Sequence, residues 1–412
     1  MSSIPRQLDS NLKLPGYECQ LNQSGLVHSR CKLQNAANNL KEIEARLPIH
    51  MIPCDIEEVT HSYRVSCSFQ IVSMNGNSEY AMRQGGQVVL LQSDYFPIAV
   101  PVIQKAMVQF LKSLRESPSI SKHLTSVTFK STWDQTQLVI TLHYKPPGLP
   151  IDSEEWIRQA STVQQQTRAT FIIGQSKGRR ICVPADEDPM LRDEMQISLM
   201  IQKQFQSIKI HYIKPCDAFQ HPNPNVMCQA LDWLLSTTFR IKQKLSSSLQ
   251  LLELYNGYGA HTVPLALSGL YSQIVCLELD DRLVRACRVN IQLNNIENIV
   301  QIMQGDAGEF SRTWKRKKSN AWSQQDTTVL LVDPPRQGLD MQVCEMANQV
   351  LDISHILYVS CGREALLRDV KQLQPSFSPV SSLILYLFTD SVETLVHFER
   401  RVSPDLDPSK SP

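Results

Sequence analysis

From about residue 216 onward the chain keeps one rhythm, and that rhythm limits its fold more than any other feature. Short apolar runs recur with helical stretches between them: "LQLLELY" (249–255), "IVCLEL" (274–279), "IVQIMQGD" (299–306), "TVLLVDPP" (328–335), "HILYVSC" (355–361) and "SLILYLF" (382–388), closed by "ETLVHFERR" (393–401). The intervening "DRLVRACRVNIQLNN" (281–295) and "REALLRDVKQL" (363–373) carry helical spacing. Most of these runs are apolar at successive positions instead of alternating, so both strand faces must be covered. Strand–helix alternation supplies that cover. It predicts an α/β unit over residues 216–402 built on a doubly wound, mostly parallel sheet.

Residues 51–215 read differently. "YRVSCSFQIV" (63–72), "LTSVTFKST" (124–132), "QLVITLHY" (137–144), "ATFIIG" (169–174), "RRICVPA" (179–185) and "SIKIHYI" (207–213) are short strand candidates, several alternating with period two. One helix candidate, "VIQKAMVQFLKSL" (102–114), lies among them. This pattern predicts an antiparallel α+β module ahead of the parallel one. Residues 1–50 form an N-terminal extension with one helix candidate, "LQNAANNLKEIEARL", and residues 403–412 a polar tail expected to be disordered.

Composition narrows the function classes. The chain is 42% hydrophobic and 20% charged with a formal net charge of +1, so no global basic field points to nucleic acid. Only "SKGRR" (176–180) and "KRKK" (315–318) offer local basic patches. The eleven cysteines contain no C-x-x-C pair, which argues against a metal site and a disulfide framework. The start "MSSIPRQLDS" has no apolar signal core, and no apolar run approaches the roughly 18 residues of a membrane span. The expectation is a cytoplasmic protein without metal or membrane, with an organellar location left open and a monomer favoured.

In a doubly wound sheet, ligands bind outside the carboxyl ends of the strands. The first such end, "LELYNGYGAHT" (252–262), carries Gly257 and Gly259 in a turn, with Thr262 where a dinucleotide fingerprint would have its third glycine. A pyrophosphate cofactor is thereby disfavoured. Glu278 follows about 20 residues later, where an acid holds ribose hydroxyls, with Asp280 as a competitor for that role; Asp306 ends the third strand. A glycine turn followed by two acids suits S-adenosyl-L-methionine, which has an adenosine and no phosphate. The fourth strand ends in "LLVDPPRQGLD" (330–340), an acid before two prolines whose fixed φ makes a rigid turn. The fifth brings Cys361 to the same edge.

These motifs resemble the S-adenosylmethionine-dependent RNA (uracil-5)-methyltransferases. "LLELYNGYG", "VDPPRQGLD", "YVSCGREAL" and "SVETLVHFER" carry the likeness in order and spacing. "HSYRVSCSFQI" (61–71), "DYFP" (94–97), "IIGQSKGRRI" (172–181) and "FQHPNPN" (219–225) are similar to the tRNA-specific branch. The resemblance spans roughly residues 55–400 and implies a Rossmann-like methyltransferase domain preceded by an RNA-recognition domain. It implies that Cys361 is the nucleophile, Glu393 the general base and Arg336 a residue that orients the uracil and lowers the thiol pKa. His221, Tyr255, Gly257, Gly259, Glu278, Asp306 and Asp333 match or neighbour cofactor positions, and Tyr63, Arg64 and Phe96 match RNA-contacting ones. The partner implied is tRNA, with a uridine of the T-loop as the target.

Two enzymatic rivals fit less well. RNA cytosine-5 methyltransferases commonly take a nucleophile from a Pro-Cys after strand four, where this chain has Pro334-Pro335-Arg336. Amino-group methyltransferases want an aromatic where Arg336 stands, and neither rival needs Cys361 or Glu393. The chain also departs from the family: His221 replaces a glutamine, Ala260 an asparagine, Gly362-Arg363 an Asn-Pro, and Ser391 a histidine, while Thr389 keeps its place. These departures leave a second expectation, a weakened or inactive relative that binds or folds tRNA.

Overall fold

The computed structural model describes residues 62–401 except 75, 85–86, 92, 146–152, 186–187, 202–203, 318–325 and 387–391. The expected N-terminal extension and polar tail, and the positions of Thr389 and Ser391, fall outside the described residues.

The first half forms a seven-stranded sheet. Its elements are β1 (Ser66–Met74), β2 (Asn77–Gln84), β3 (Gln87–Leu90), α1 (Pro101–Arg115), the short α2 (Pro118–Ser121), β4 (Leu124–Ser131), β5 (Leu138–Tyr144), α3 (Glu154–Thr167), β6 (Phe171–Ser176) and β7 (Arg179–Val183). The order is β3-β2-β1-β4-β5-β6-β7. All pairs are antiparallel except β5 with β6, which run parallel. Two parallel neighbours need a crossover, and α3 supplies it. The sequence reading missed α3. Its glutamine-rich, weakly apolar segment buries only a narrow stripe, anchored by Trp156, Ala160 and Val163. Ser153 caps it by accepting the Trp156 N–H at 3.1 Å. Phe69, Tyr80, Phe110 and Phe129 pack as a buried aromatic cluster on the helix-covered face.

A long hairpin follows, β8 (Met190–Ile201) with β9 (Gln204–Pro215). Its apolar face packs on the second half, where Met195, Ile197, Ile210 and Tyr212 join the core that includes Leu251, Val263 and Ile291. Asn290 and Asn294 clamp β9: their side-chain carbonyls accept the N–H of Ile213 (2.6 Å) and His211 (3.1 Å), and their amides donate back to the same residues' carbonyls. A buried ion pair, Lys214 Nζ to Asp193 at 2.6 Å, ties the two strands together.

The second half begins with α4 (Pro224–Gln243), started by Pro224 in its first turn and capped by Asn223, which accepts from Asn225 N at 3.0 Å. Then come β10 (Leu249–Leu254), α5 (Thr262–Leu267), β11 (Gln273–Glu278), α6 (Asp281–Leu293), β12 (Val300–Gln304), α7 (Ala307–Lys317), β13 (Thr327–Val332), α8 (Met341–Gln349), β14 (Ile353–Ser360), α9 (Arg363–Leu373), β15 (Phe377–Tyr386) and β16 (Val392–Arg400). The sheet order is β12-β11-β10-β13-β14-β16-β15. The first five strands are parallel, and β16 runs antiparallel to both β14 and β15. Every residue of β10 is buried, and each of its four leucines contributes about 2 kcal/mol by leaving water. The predicted α/β architecture and all seven of its strands are present, with helices on both faces.

Candidate active site

The carboxyl ends of β10, β11, β13 and β14 meet along one edge. At the first, Tyr255 sits half-buried at a φ of +62° and donates its hydroxyl to Asp340 at 2.9 Å. The strand-to-turn reversal after β10 uses positive φ at Gly257 (+64°) and Gly259 (+90°) as well. Gly257 N–H donates to Glu278 Oε2 at 2.8 Å, while Glu278 Oε1 accepts from Leu279 N and Asp280 N at 2.8 and 2.9 Å. Three backbone donors therefore fix the Glu278 carboxylate against the glycine turn. Asp280, the competitor, instead caps α6 through Arg282 N (2.8 Å) and pairs with the Arg282 guanidinium (3.0 Å). Asp306 is exposed and caps α7 by accepting Glu309 N at 2.8 Å.

Beneath the turn lies Glu253, fully buried on β10, whose carboxylate accepts from Thr262 at 2.7 Å. Burial pushes its pKa up to about 7, against the pull of Thr262 and Asn256. Asn256 donates to Thr262, but its own carbonyl oxygen is buried with no partner among the described residues. A glycine turn open to solvent at Gly257, a ribose-type acid and an orphaned amide oxygen are the donor and acceptor set that an adenosine-bearing amino acid would satisfy.

The other end of the edge holds the expected reactive groups. Ser360 on β14 pairs with Thr394 on β16, and continuing that antiparallel register beyond the strand end sets Cys361 opposite Glu393, near enough for that carboxylate to act on the thiol. Cys361 is exposed, and Glu393 is buried. Asp333 follows β13, with its side chain 36% accessible. Arg336 is exposed in the same turn. Gly362 explains how that turn reaches the cysteine: a Cβ there would lie 2.6 Å from the Arg336 carbonyl oxygen, so only glycine admits this approach. The far side of the turn is pinned by Asp369 on α9, a residue that sequence reasoning missed. Its buried carboxylate accepts from Leu339 N (2.7 Å), Tyr358 Oη (2.8 Å) and Arg368 Nε (2.8 Å).

Burial pushes the Cys361 thiol above its ordinary range, and the carboxylates of Asp333 and Glu393 push the same way. Arg336 pulls it down, as expected, but does not prevail, because one exposed guanidinium is outweighed by burial and two nearby carboxylates. Asp333 is itself raised by burial, then by Glu393 and Glu253. The carboxyl groups of Asp333, Glu393 and Glu253 therefore outnumber the one guanidinium of Arg336 along this edge.

Two histidines complete this cluster. His221 Nε2 lies 2.9 Å from Glu393 Oε2, and His261 Nδ1 lies 3.8 Å from Asp333. Burial lowers the His261 pKa to about 4, so it is neutral. His261 carried no signal in the sequence, where it is one polar residue after a glycine turn.

The three motifs of the first half that the resemblance assigns to RNA also converge, although each is tied into the protein. The backbone of 62–65 bonds to Pro97 and Ile98 on one side and to Pro222 on the other. Tyr63 is buried, Arg64 donates to the Ser66 carbonyl at 2.9 Å, and Phe96 is half-buried with its ring edge-on to Phe69 at 5.5 Å. Lys130 anchors the junction by donating to the carbonyls of Cys216 and Ala218 at 2.8 and 2.7 Å. In "SKGRR", Lys177 is exposed and Arg180 pairs with Asp217 at 3.3 Å; the side chains of "KRKK" fall outside the described residues.

The family model described as tRNA (uracil-5-)-methyltransferase matches residues 29–401. The chain belongs to that family. Among its relatives is a tRNA/tmRNA (uracil-C(5))-methyltransferase of Marinomonas sp., 27% identical over 382 residues, 90% of this chain and 96% of the relative. Another of the same description, from Pseudoalteromonas atlantica, is 26% identical over 354 residues, 82% and 88% of the two chains. The fold is similar to that of the Pyrococcus abyssi tRNA (uracil-54, C5)-methyltransferase solved with S-adenosyl-L-homocysteine, with a TM-score of 0.54 at 16% identity over 85% of this chain and 78% of that one. Membership makes this chain an RNA uracil-C5 methyltransferase dependent on S-adenosylmethionine. Among the described residues no His, Cys, Asp or Glu cluster could hold a metal ion, and no helix is long and apolar enough to cross a membrane.

Proposed function

We propose that the protein methylates C5 of a uridine in the tRNA T-loop through a covalent adduct between Cys361 and C6 of the base. The observation that carries this reading is the register of β14 and β16, which brings Cys361 and Glu393 to the same edge as Asp333 and Arg336. Residues 62–185 and the junction would hold the tRNA. Flipping the target base costs a few kcal/mol of unstacking, which Phe96 and its neighbours can offset by reorienting toward the RNA. Tyr255, the Gly257–Gly259 turn, Glu278 and Asp306 would hold S-adenosylmethionine, which supplies an electrophilic methyl group when bound.

C5 of uracil is a weak nucleophile. When the Cys361 sulfur bonds to C6, the C5–C6 π pair moves toward C5 and O4, and C5 becomes carbanion-like. Arg336 and Asp333 orient the ring. Once C5 bears the methyl group, Glu393 takes the C5 proton, the electron pair re-forms the double bond and the C6–S pair returns to Cys361.

Incubation with unmodified tRNA and methyl-labelled S-adenosylmethionine tests this. Label should appear at one T-loop uridine and vanish in Cys361→Ala, and Glu393→Gln should accumulate a covalent protein–RNA adduct. Tight tRNA binding without transfer would favour the inactive relative. Label at a uridine elsewhere would overturn the T-loop assignment alone.

A further inference from the structure

The ring of His221 is engaged on both sides by the protein itself. Nε2 faces Glu393 Oε2 at 2.9 Å, and Nδ1 lies 2.6 Å from the Asn223 carbonyl oxygen and 3.1 Å from the Asn223 backbone nitrogen. His221 and Glu393 are both buried. Glu393 Oε1 has no hydrogen bond among the described residues. The family's glutamine position is assigned to the cofactor by resemblance, yet here neither ring nitrogen is left for a ligand.

Asn223 offers Nδ1 an acceptor and a donor together. A protonated ring gives Nδ1–H to the Asn223 carbonyl; a neutral ring accepts the Asn223 N–H. In both states Nε2 keeps its hydrogen and donates it to Glu393. A glutamine there would supply one amide donor toward Glu393.

We propose that His221 is the positioning residue of the deprotonating base: its Nε2–H holds Oε2 of Glu393 and leaves Oε1 to take the C5 proton, so this residue serves elimination and not cofactor binding. The inference rests on the methylation reading above. In the step it governs, the C5–H bond breaks toward Oε1, its electron pair becomes the C5–C6 double bond, and the C6–S pair leaves on Sγ of Cys361. The charged and titratable groups facing the pair are His261 and Asp333 from the turns after β10 and β13, Glu253 beneath them, and Cys361 and Arg336 at the mouth.

The test measures single-turnover formation and decay of the protein–tRNA adduct, together with the KM for S-adenosylmethionine. Wild type, His221→Ala and His221→Gln are compared at one neutral pH. In His221→Ala, adduct decay should slow by roughly 10- to 100-fold, the worth of one charge-assisted hydrogen bond, while the cofactor KM stays within about twofold, because uniform binding is untouched. His221→Gln should restore decay. A raised KM with unchanged decay would return His221 to the cofactor and overturn the proposal. Decay slowed about 10-fold or more in a folded His221→Gln would overturn it even if His221→Ala failed to fold, because an amide donor at that place should suffice to hold Oε2. Absence of any adduct or product in wild type would instead sink the methylation reading, and this inference with it.

Discussion

Substituting Gly362 with alanine probes the geometry on which catalysis depends. At a φ of −125° the backbone suits any residue, so the substitution adds no conformational strain; the obstacle is space. The new methyl would lie 2.6 Å from the Arg336 carbonyl oxygen, 3.3 Å from its carbon and 3.4 Å from its Cα. These are backbone atoms that cannot rotate away. To restore ordinary contact near 3.4 Å, the turn carrying Asp333 and Arg336 must part from Cys361 by about 0.8 Å. That turn is held on its other side, where a Cβ at Gly338 would already meet Asp369 at 2.5 Å. The strain falls on the 333–338 and 360–363 segments, costing about 1–3 kcal/mol as overpacking does. A misplacement near 1 Å at a reacting centre costs on the order of 100-fold in rate. Gly362→Ala should therefore lose about two decades in kcat for tRNA methylation, with a melting point lowered by only a few degrees. Steady-state methyl transfer and a thermal melt on one preparation measure both. A variant with kcat within twofold of wild type would refute the close approach as a catalytic requirement. A collapsed melting point would refute its confinement to the site.

Two further outcomes follow from the electrostatics of the same edge. Because burial, Asp333 and Glu393 raise the Cys361 pKa while Arg336 lowers it, Asp333→Asn should speed iodoacetamide alkylation of Cys361 severalfold near neutral pH and Arg336→Met should slow it; equal rates would show that neither charge reaches the sulfur. Glu253 has a folded pKa of about 7 against an ordinary 4.5. The folded state then binds its proton more tightly than the unfolded one, and stability falls as pH rises between those values. Glu253→Gln should remove that slope and leave the protein more stable at pH 8 by up to about 3 kcal/mol. Urea melts from pH 4.5 to 8 measure it, and an unchanged slope would mean that the buried carboxyl ionises in water-like surroundings.

Local pattern carried the second half. Apolar runs such as "TVLLVDPP" and "HILYVSC" announce buried parallel strands because the signal lies in adjacent residues, and the prolines and cysteine mark the strand ends where ligands bind. The same logic failed for α3, whose glutamine-rich sequence has little apolar stripe to detect, for β2, whose mixed sequence has no clean alternation, for the four-residue β3, whose Val88, Val89 and Leu90 are exposed, and for β8, where the buried Asp193 breaks an otherwise alternating apolar pattern. It also left α4 unread, although Pro224 and Asn223 are a start signal in plain view.

Sequence alone thus determined the class of sheet, the strand ends and the chemical types standing there, because periodicity and turn chemistry act over a few residues. Tertiary structure decided who stands beside whom. His221 and Glu393 are 172 positions apart, and only the reversed last strand puts that carboxylate beside the thiol. His261 reaches Asp333 only through the turn after β10, and Asp369 reaches Leu339 only through α9. Proximity across such separations is set by the register and packing of whole elements, a sum over many contacts that no short stretch of sequence encodes.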